Sequence, residues 1–363
     1  MNIKRYGFPL AVAAAASLLL TSCAANESAA SGSDSDSSLS GTLIGGGASS
    51  QQAAQEAWVA AFQEANPDVT VEYAPEGSGA GRENFMAGAS SFAGSDAAFT
   101  SDEISSGEFA SCAADSSIIE IPAYISPIAI VFNVDGIDSL NLDAATLAGI
   151  FSGEITTWND EAITSQNPDA DLPDQAITAV HRSDESGTTE NFTDYLHAAA
   201  GDIWDSEASE TWPYDGGEGA QGTSGVIDAV TNGTGTIGYA DASRAGDLGT
   251  VAVGVGDEYV PYSAEAAAAI VDASPFAEGR EDGDLAIELD RSSTEAGVYP
   301  IVLVSYLIAC SEYEDAEAAE LTKAYLSYVI SDEGQAVSEE AAGTAPISST
   351  LFDKASTAVE AIK

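Results

Sequence analysis

An α/β fold, as two domains or one large two-lobed body, is what this sequence predicts, on three observations. Short apolar runs alternate along the chain with stretches of helical period, the pattern of strands covered by helices. Beyond a leader and a polar stretch, roughly 320 residues remain, enough for two domains or one large two-lobed body. Three strand ends, moreover, pass through Ser, Thr and Gly directly into the start of a helix.

The chain opens with MNIKRYGFPLAVAAAASLLLTSCAANES. Lys4 and Arg5 precede an apolar stretch from Phe8 to Leu20 that is too short to span a bilayer, so residues 1–22 read as a signal peptide. Leu20-Thr21-Ser22-Cys23 is similar to the lipobox of bacterial lipoproteins, whose Cys is lipidated and becomes the first mature residue. A plain secretory leader with an incidental Cys is the alternative. From Ala24 to Ser40 the chain is mainly Ser, Ala, Gly and Asp, so residues 23–40 read as a flexible tether on a lipid anchor.

GTLIGGGASS then reads as a strand ending in glycines. SQQAAQEAWVAAFQEANP sets Trp58, Ala61, Phe62 and Ala65 on one helical face and stops before Pro67. VTVEYAPEG is the next strand, SGAGRENFMAG a loop entering a short helix, and SSFAGSDAAFT a strand running into polar residues. SIIEIPAYISPIAIVFN holds two strand-like runs, and LDAATLAGIFSGEITTWND is a helix followed by a turn. AITAVHRSDESGTTENFTDYLHAAA reads strand, loop, helix, and GTSGVIDAVTNGTGTIGYAD reads helix, turn, strand. GVYPIVLVSYLIAC contains Pro300 and is short for a membrane span, so it is a buried strand. AEAAELTKAYLSYVI and STLFDKASTAVEAI close the chain as helices.

Charge excludes two partner classes. Losing Lys4 and Arg5 with the leader leaves 59 acidic against 8 basic residues, a formal −51. Such a surface repels nucleic acid and anionic lipid, and it serves as a solvated coat. With two His in the chain and no close Cys/His spacing, no metal site is expected. Cys112 and Cys310 remain after lipidation, and in an exported protein two Cys favour a disulfide over a metal pair.

The helix-start loops carry the chemistry: Gly47-Ala48-Ser49-Ser50, Gly77-Ser78-Gly79 and Ser186-Gly187-Thr188-Thr189. A helix start leaves backbone N–H groups unpaired at the positive end of the dipole, so it can hold an anion. For any one such loop taken alone, ordinary capping by Ser or Thr is the better explanation. Arg182 precedes the third loop with Asp184 two residues on; a guanidinium can fork onto two oxygens while a carboxylate fixes its plane. The plain alternative is a surface ion pair of small worth. Arg82 falls about one helical position late for such a loop and reads as a surface residue.

Asp96, in FAGSDAAFT, looks misplaced beside an anion site. A carboxylate about 4 Å from an anionic oxygen costs about 4 kcal/mol at an effective dielectric of 20. If that oxygen carries a proton, the carboxylate accepts a hydrogen bond instead. Asp96 would then select phosphate over sulfate; a helix-capping Asp is the other reading.

Together FAGSDA, IFSGEITTWND, HRSDESGTTENFTDYL and YPIVLVSYLIAC resemble the phosphate-binding lipoproteins of bacterial phosphate ABC transporters, over nearly the whole chain from about residue 41. The resemblance implies a periplasmic-binding-protein-like fold of type II, with the ligand cleft between two lobes joined by two crossing strands. It puts residues 41–124 and 299–363 in lobe I, residues 125–298 in lobe II, and the second crossing near Val298 to Ile301. Cys112 and Cys310 then both fall in or near lobe I, which fits a disulfide. By the family's pattern, Ser49 and Ser50 bind phosphate through hydroxyl and backbone N–H, Ser78 adds a hydroxyl, and Asp96 reads the proton. Arg182, Ser186, Gly187 and Thr188 form the second-lobe set, with Asp184 holding the Arg. Many relatives have Thr-Phe where this chain has Ser49-Ser50, a change that leaves backbone donation intact. His181 takes a variable position and is given no role.

The implied protein is a monomeric extracytoplasmic receptor, anchored to the cell membrane by lipid alone, that delivers inorganic phosphate to a membrane permease. It is not an enzyme and needs no cofactor. A secreted phosphate-ester hydrolase would need a nucleophile with its base, or metals, and the chain has no GxSxG, HExxH or Walker A motif. Sulfate or molybdate is the alternative ligand, against which Asp96 argues. A sugar-binding or adhesive lipoprotein is a further alternative, but stacking aromatics are not evident near the three loops.

Overall fold

The structure, a computed structural model, describes residues 39–363. The expected signal peptide, Cys23 and the expected tether up to residue 38 lie outside the described residues.

The first lobe starts with β1 (Gly41–Gly47), α1 (Gln52–Ala65), β2 (Val69–Ala74), α2 (Ser78–Met86), β3 (Phe92–Ser95) and the short α3 (Ser101–Ser106). β4 (Ile118–Asn133) follows, then the second lobe: β5 (Ser139–Leu142), α4 (Ala144–Ser152), α5 (Glu161–Thr164), β6 (Thr178–Arg182) and α6 (Gly187–Ala200). β7 (Glu218–Ala220), α7 (Gly222–Asn232), β8 (Thr236–Asp241), β9 (Gly249–Val255), β10 (Glu258–Val260) and α8 (Ala264–Ala273) complete it. β11 (Val302–Cys310), α9 (Ala316–Ile330), α10 (Asp332–Ala342) and α11 (Ser349–Glu360) return to the first lobe.

Strand order is β2-β1-β3-β11-β4-β8-β6-β7, and β4 belongs to both lobes. Its residues 118–127 pair antiparallel with β11, and its residues 128–133 pair antiparallel with β8. The two strand-like runs expected here are therefore one strand of 16 residues. Its two prolines sit where a missing N–H does least harm. Pro127 marks the change of partner, and Pro122 adjoins the register shift at Ser305/Tyr306. The return runs through the buried stretch from Val298 to Ile301, where the Ile301 carbonyl accepts the Ile128 N–H at 2.7 Å.

Apolar faces decide the layers. In the first lobe α1 packs on α10 and β2, α2 on β1 and β3, and α9 on β1 and α11. They enclose Trp58, Phe85, Phe92, Phe99, Tyr124 and Tyr325, all fully buried. In the second, α7 covers β6 and β8 while α4 packs on α6 around Phe132, Trp158, Phe192 and Tyr239. The Cys112 and Cys310 sulfurs are bonded, with Cα atoms 5.4 Å apart. Among the described residues, no helix is long and apolar enough to cross a membrane.

One segment departs from the expected division. Residues 276–287, expected within lobe II, lie against β4 of the first lobe. There the Glu120 N–H donates to Gly283, the Leu285 N–H donates to Glu120, and Arg280 donates to the Phe99 carbonyl at 2.7 Å. Its attraction is an ion cluster: Arg280 lies 2.9 Å from Asp284 and 3.5 Å from the fully buried Glu120. Burial, with Asp284 close by, pushes the Glu120 carboxyl well above its usual range.

Candidate anion-binding site

The site forms where strand ends of both lobes meet helix starts. β1 ends at Gly47, whose φ of 136° an L side chain rarely adopts; a Cβ there would stand 2.0 Å from the Gly94 carbonyl. Gly81 on α2 is equally constrained, since a Cβ there would lie 2.4 Å from the Gly47 Cα. These contacts draw the starts of α1 and α2 together at the end of β3, which delivers Asp96.

Asp96 is the centre of the arrangement. It is 3% exposed, and side chains from three different places donate to its carboxylate. Ser50, before α1, reaches Oδ1 at 2.8 Å and Oδ2 at 2.6 Å; Ser305 of β11 reaches Oδ1 at 2.7 Å; Thr188 of α6 reaches Oδ2 at 2.9 Å. The Asp96 N–H donates to Ser78 Oγ at 3.1 Å, and Asn191 donates to the Asp96 carbonyl at 2.7 Å. Burial pushes the Asp96 carboxyl up from its ordinary range; the Ser50, Ser305 and Thr188 hydroxyls, then Arg182, pull it back only in part.

From the second lobe comes the guanidinium. Arg182 ends β6, is 3% exposed, and is gripped edge-on by Asp184: Nε to Oδ1 at 2.8 Å and a terminal NH2 to Oδ2 at 2.5 Å. Gly222, at the start of α7, donates its N–H to the same Oδ1 at 3.0 Å. Burial alone would raise the Asp184 carboxyl, but the Arg182 fork and the Gly222 N–H hold it below its ordinary range. Ser186 caps α6, its Oγ accepting the Thr189 N–H at 3.2 Å. Gly187 is required by closeness: a Cβ would lie 2.7 Å from the Ala97 nitrogen across the cleft.

The lobes touch here. Besides Thr188 on Asp96, Ser49 Oγ lies 3.1 Å from Thr223 Oγ1 and accepts the Thr223 N–H at 3.0 Å. Ser49, Ser50, Ser78, Asp96, Arg182, Ser186, Gly187 and Thr188 thus gather on one interlobe surface, with Asp184 behind the Arg. Helix starts, hydroxyls and one guanidinium suit a small oxyanion, and the lone carboxylate suits one that still carries a proton. Among the described residues, no group of three His, Cys, Asp or Glu is arranged to hold a metal.

Sequence reasoning missed Ser305, Thr223 and Asn191. Ser305 had a signal, as the one hydroxyl of small size inside an otherwise apolar strand; the other two had none. Arg82 was misassigned to the surface: it is 7% exposed and sits in the cleft, donating to Glu210 of the second lobe. His181 stacks on Trp212 at 4.8 Å and bonds backbone carbonyls, away from Asp96.

A family model described as PBP superfamily domain matches residues 32–333. The chain is 35% identical over 318 residues to phosphate-binding protein PstS 3 of Mycobacterium leprae, covering 85% of this chain and 84% of that one. It is 34% identical over 315 residues to phosphate-binding protein PstS 3 of Mycobacterium tuberculosis, covering 85% and 83%. Its fold is similar to that of a solved phosphate-binding protein from Stenotrophomonas maltophilia, with a TM-score of 0.68 at 20% identity over 88% of this chain and 94% of that one.

Proposed function

Because this chain belongs to the PBP superfamily and, within it, to the phosphate-binding proteins, we propose that it is an extracytoplasmic receptor that captures inorganic phosphate and hands it to the permease of an ABC transporter. A receptor of this kind is not an enzyme. Asp96 carries the ligand assignment. A buried carboxylate raised by desolvation and facing Arg182 is a poor wall for a fully deprotonated anion and a good acceptor for a P–OH.

In this reading the Ser49, Ser78 and Ser186 hydroxyls and the Ser50, Gly187 and Thr188 backbone N–H groups donate to phosphate oxygens, the Ser50 and Thr188 hydroxyls staying on Asp96. Arg182 forks onto two oxygens, and Asp184 holds the Arg plane. Residues 41–124 and 299–363 form one lobe and residues 125–298 the other, apart from the return of 276–287. Closure completes a donor set drawn from both halves, so ligand capture produces a shape the permease can read. The receptor is a monomer tethered through lipidated Cys23, with Cys112–Cys310 oxidised outside the cytoplasm; the lipobox-like Leu20-Thr21-Ser22-Cys23 and the pairing of the two sulfurs support this.

Calorimetric titration of the purified protein with phosphate, sulfate and molybdate tests the reading. Phosphate is expected to bind at least a hundredfold tighter than either. Equal affinity for phosphate and sulfate would overturn the assignment.

A further inference from the structure

Apart from the ligand set, one ion pair crosses the cleft. Arg82 lies one turn along α2 from Ser78, and its guanidinium forks onto Glu210: NH1 to Oε1 at 3.0 Å and NH2 to Oε2 at 2.5 Å. First-lobe groups hold that guanidinium in place. Ser95 Oγ accepts from NH1 at 3.1 Å, and the Phe99 ring lies 5.5 Å beneath it. Glu210 stands in the loop after α6, and its backbone carbonyl accepts the Ser186 N–H at 3.1 Å. The same loop is pinned to α6 by Thr193, whose Oγ1 accepts the Ser209 N–H at 2.9 Å.

The pair therefore joins two elements that each present a phosphate-binding residue, Ser78 on α2 and the Ser186 cap of α6. Neither charge belongs to the ligand set. A forked Arg–carboxylate pair shielded from water is far stronger than an exposed one, and its geometry exists only while the lobes are together. On opening, the pair parts and Glu210 goes to water, while Arg82 keeps its first-lobe neighbours, Glu103 at 3.8 Å among them. Contacts made late in closure chiefly slow release, because the encounter precedes them.

We propose that Arg82 and Glu210 form an interlobe latch, a positioning pair that holds the closed receptor and sets how long phosphate stays bound. The proposal rests on the receptor reading above. Arg82 and Glu210 act through α2 and the α6 cap, without touching the anion.

The test uses the full mature chain as wild type, Glu210→Gln and Glu207→Gln. Glu207 is exposed in the same loop, so its variant removes an equal charge without breaking the pair. Phosphate association and dissociation are followed by stopped-flow tryptophan fluorescence. Interlobe distances are read with and without phosphate from spin labels placed on the outer faces of α1 and α7. Glu210→Gln is expected to speed dissociation ten- to a hundredfold with association changed less than threefold, and to shift the interlobe distance towards longer values. Its preference for phosphate over sulfate should stay as in wild type. Glu207→Gln should match wild type throughout. An unchanged dissociation rate in Glu210→Gln, or an equal effect of Glu207→Gln, overturns the latch. Should wild type fail to bind phosphate, the receptor reading falls and the residence-time role with it, and the distances alone decide whether the pair holds the lobes together: opening in Glu210→Gln upholds that and no change overturns it.

Discussion

Replacing Asp96 by Asn changes one atom and one charge, and the surroundings fix what that should do. The side chain is 3% exposed and held by Ser50, Ser305 and Thr188 at 2.6 to 2.9 Å, so it cannot turn away from an unwelcome ligand. A sulfate oxygen about 4 Å from this carboxylate meets a repulsion of about 4 kcal/mol at an effective dielectric of 20. Phosphate escapes it by presenting a hydroxyl, gaining a charge-assisted hydrogen bond worth about 1.5–3 kcal/mol. Asp96→Asn removes both effects. Phosphate should weaken ten- to a hundredfold, sulfate should tighten by up to about a thousandfold, and the preference should contract by up to about four to five orders of magnitude. Calorimetry with each anion at pH 7 measures this directly. Acid offers an independent check on the wild type, because burial raises the Asp96 carboxyl and protonation removes the repulsion. Sulfate should therefore bind more tightly as pH falls, and that gain should vanish in Asp96→Asn. If both anions shift by the same factor, the carboxylate is not what discriminates between them.

Two further outcomes concern stability. Glu190, beside the cleft, is pushed up to about 7 from 4.5, first by burial and then by Glu210, with Asp194 and Glu103 adding to the effect and Arg82 opposing it. Folding therefore favours its protonated form, so this contribution is full below pH 4.5 and lost as pH rises towards 7. Allowing for its partial exposure, Glu190→Gln should stabilise the protein by about 2 kcal/mol at pH 8 and by almost nothing at pH 4.5. Denaturant melts at the two pH values check this, and an equal effect at both contradicts it. Opening the Cys112–Cys310 link, which spans 198 residues, should cost about 3–5 kcal/mol, because the unfolded chain regains the freedom that the crosslink removes. A melting temperature indifferent to reductant in wild type, and equal to that of a double Ser variant, would show that the thiols are free.

Legibility followed range along the chain. Most strands and helices were readable because apolar period and capping residues lie within a few positions of one another. The helix starts at Ser49-Ser50, Ser78 and Ser186-Gly187 were readable for the same reason, and so was Arg182 with Asp184 two residues away. The joining of β4 was not. Pro122 and Pro127 look like interruptions until a register shift and a change of partner absorb them. The segment 276–287 was also opaque, because its attraction to the first lobe depends on Glu120, more than 150 residues earlier.

Arg82 shows why the cleft is harder to read than either lobe. Its place on the helix was visible, but its partner Glu210 is 128 residues away in a chain with 59 acidic residues, where no pattern distinguishes one carboxylate from another. The same abundance explains how an anion receptor coexists with a formal charge of −49. Four of its arginines face inward onto chosen carboxylates: Arg82 onto Glu210, Arg182 onto Asp184, Arg280 onto Asp284 and Arg291 onto Asp194. None builds a positive surface field, which salt would screen beyond about 8 Å in any case. Recognition therefore has to come from donors aimed at short range inside a closed cleft. Raising ionic strength should then alter the association rate far more than the phosphate-over-sulfate ratio, because the ratio is set where bulk ions do not enter.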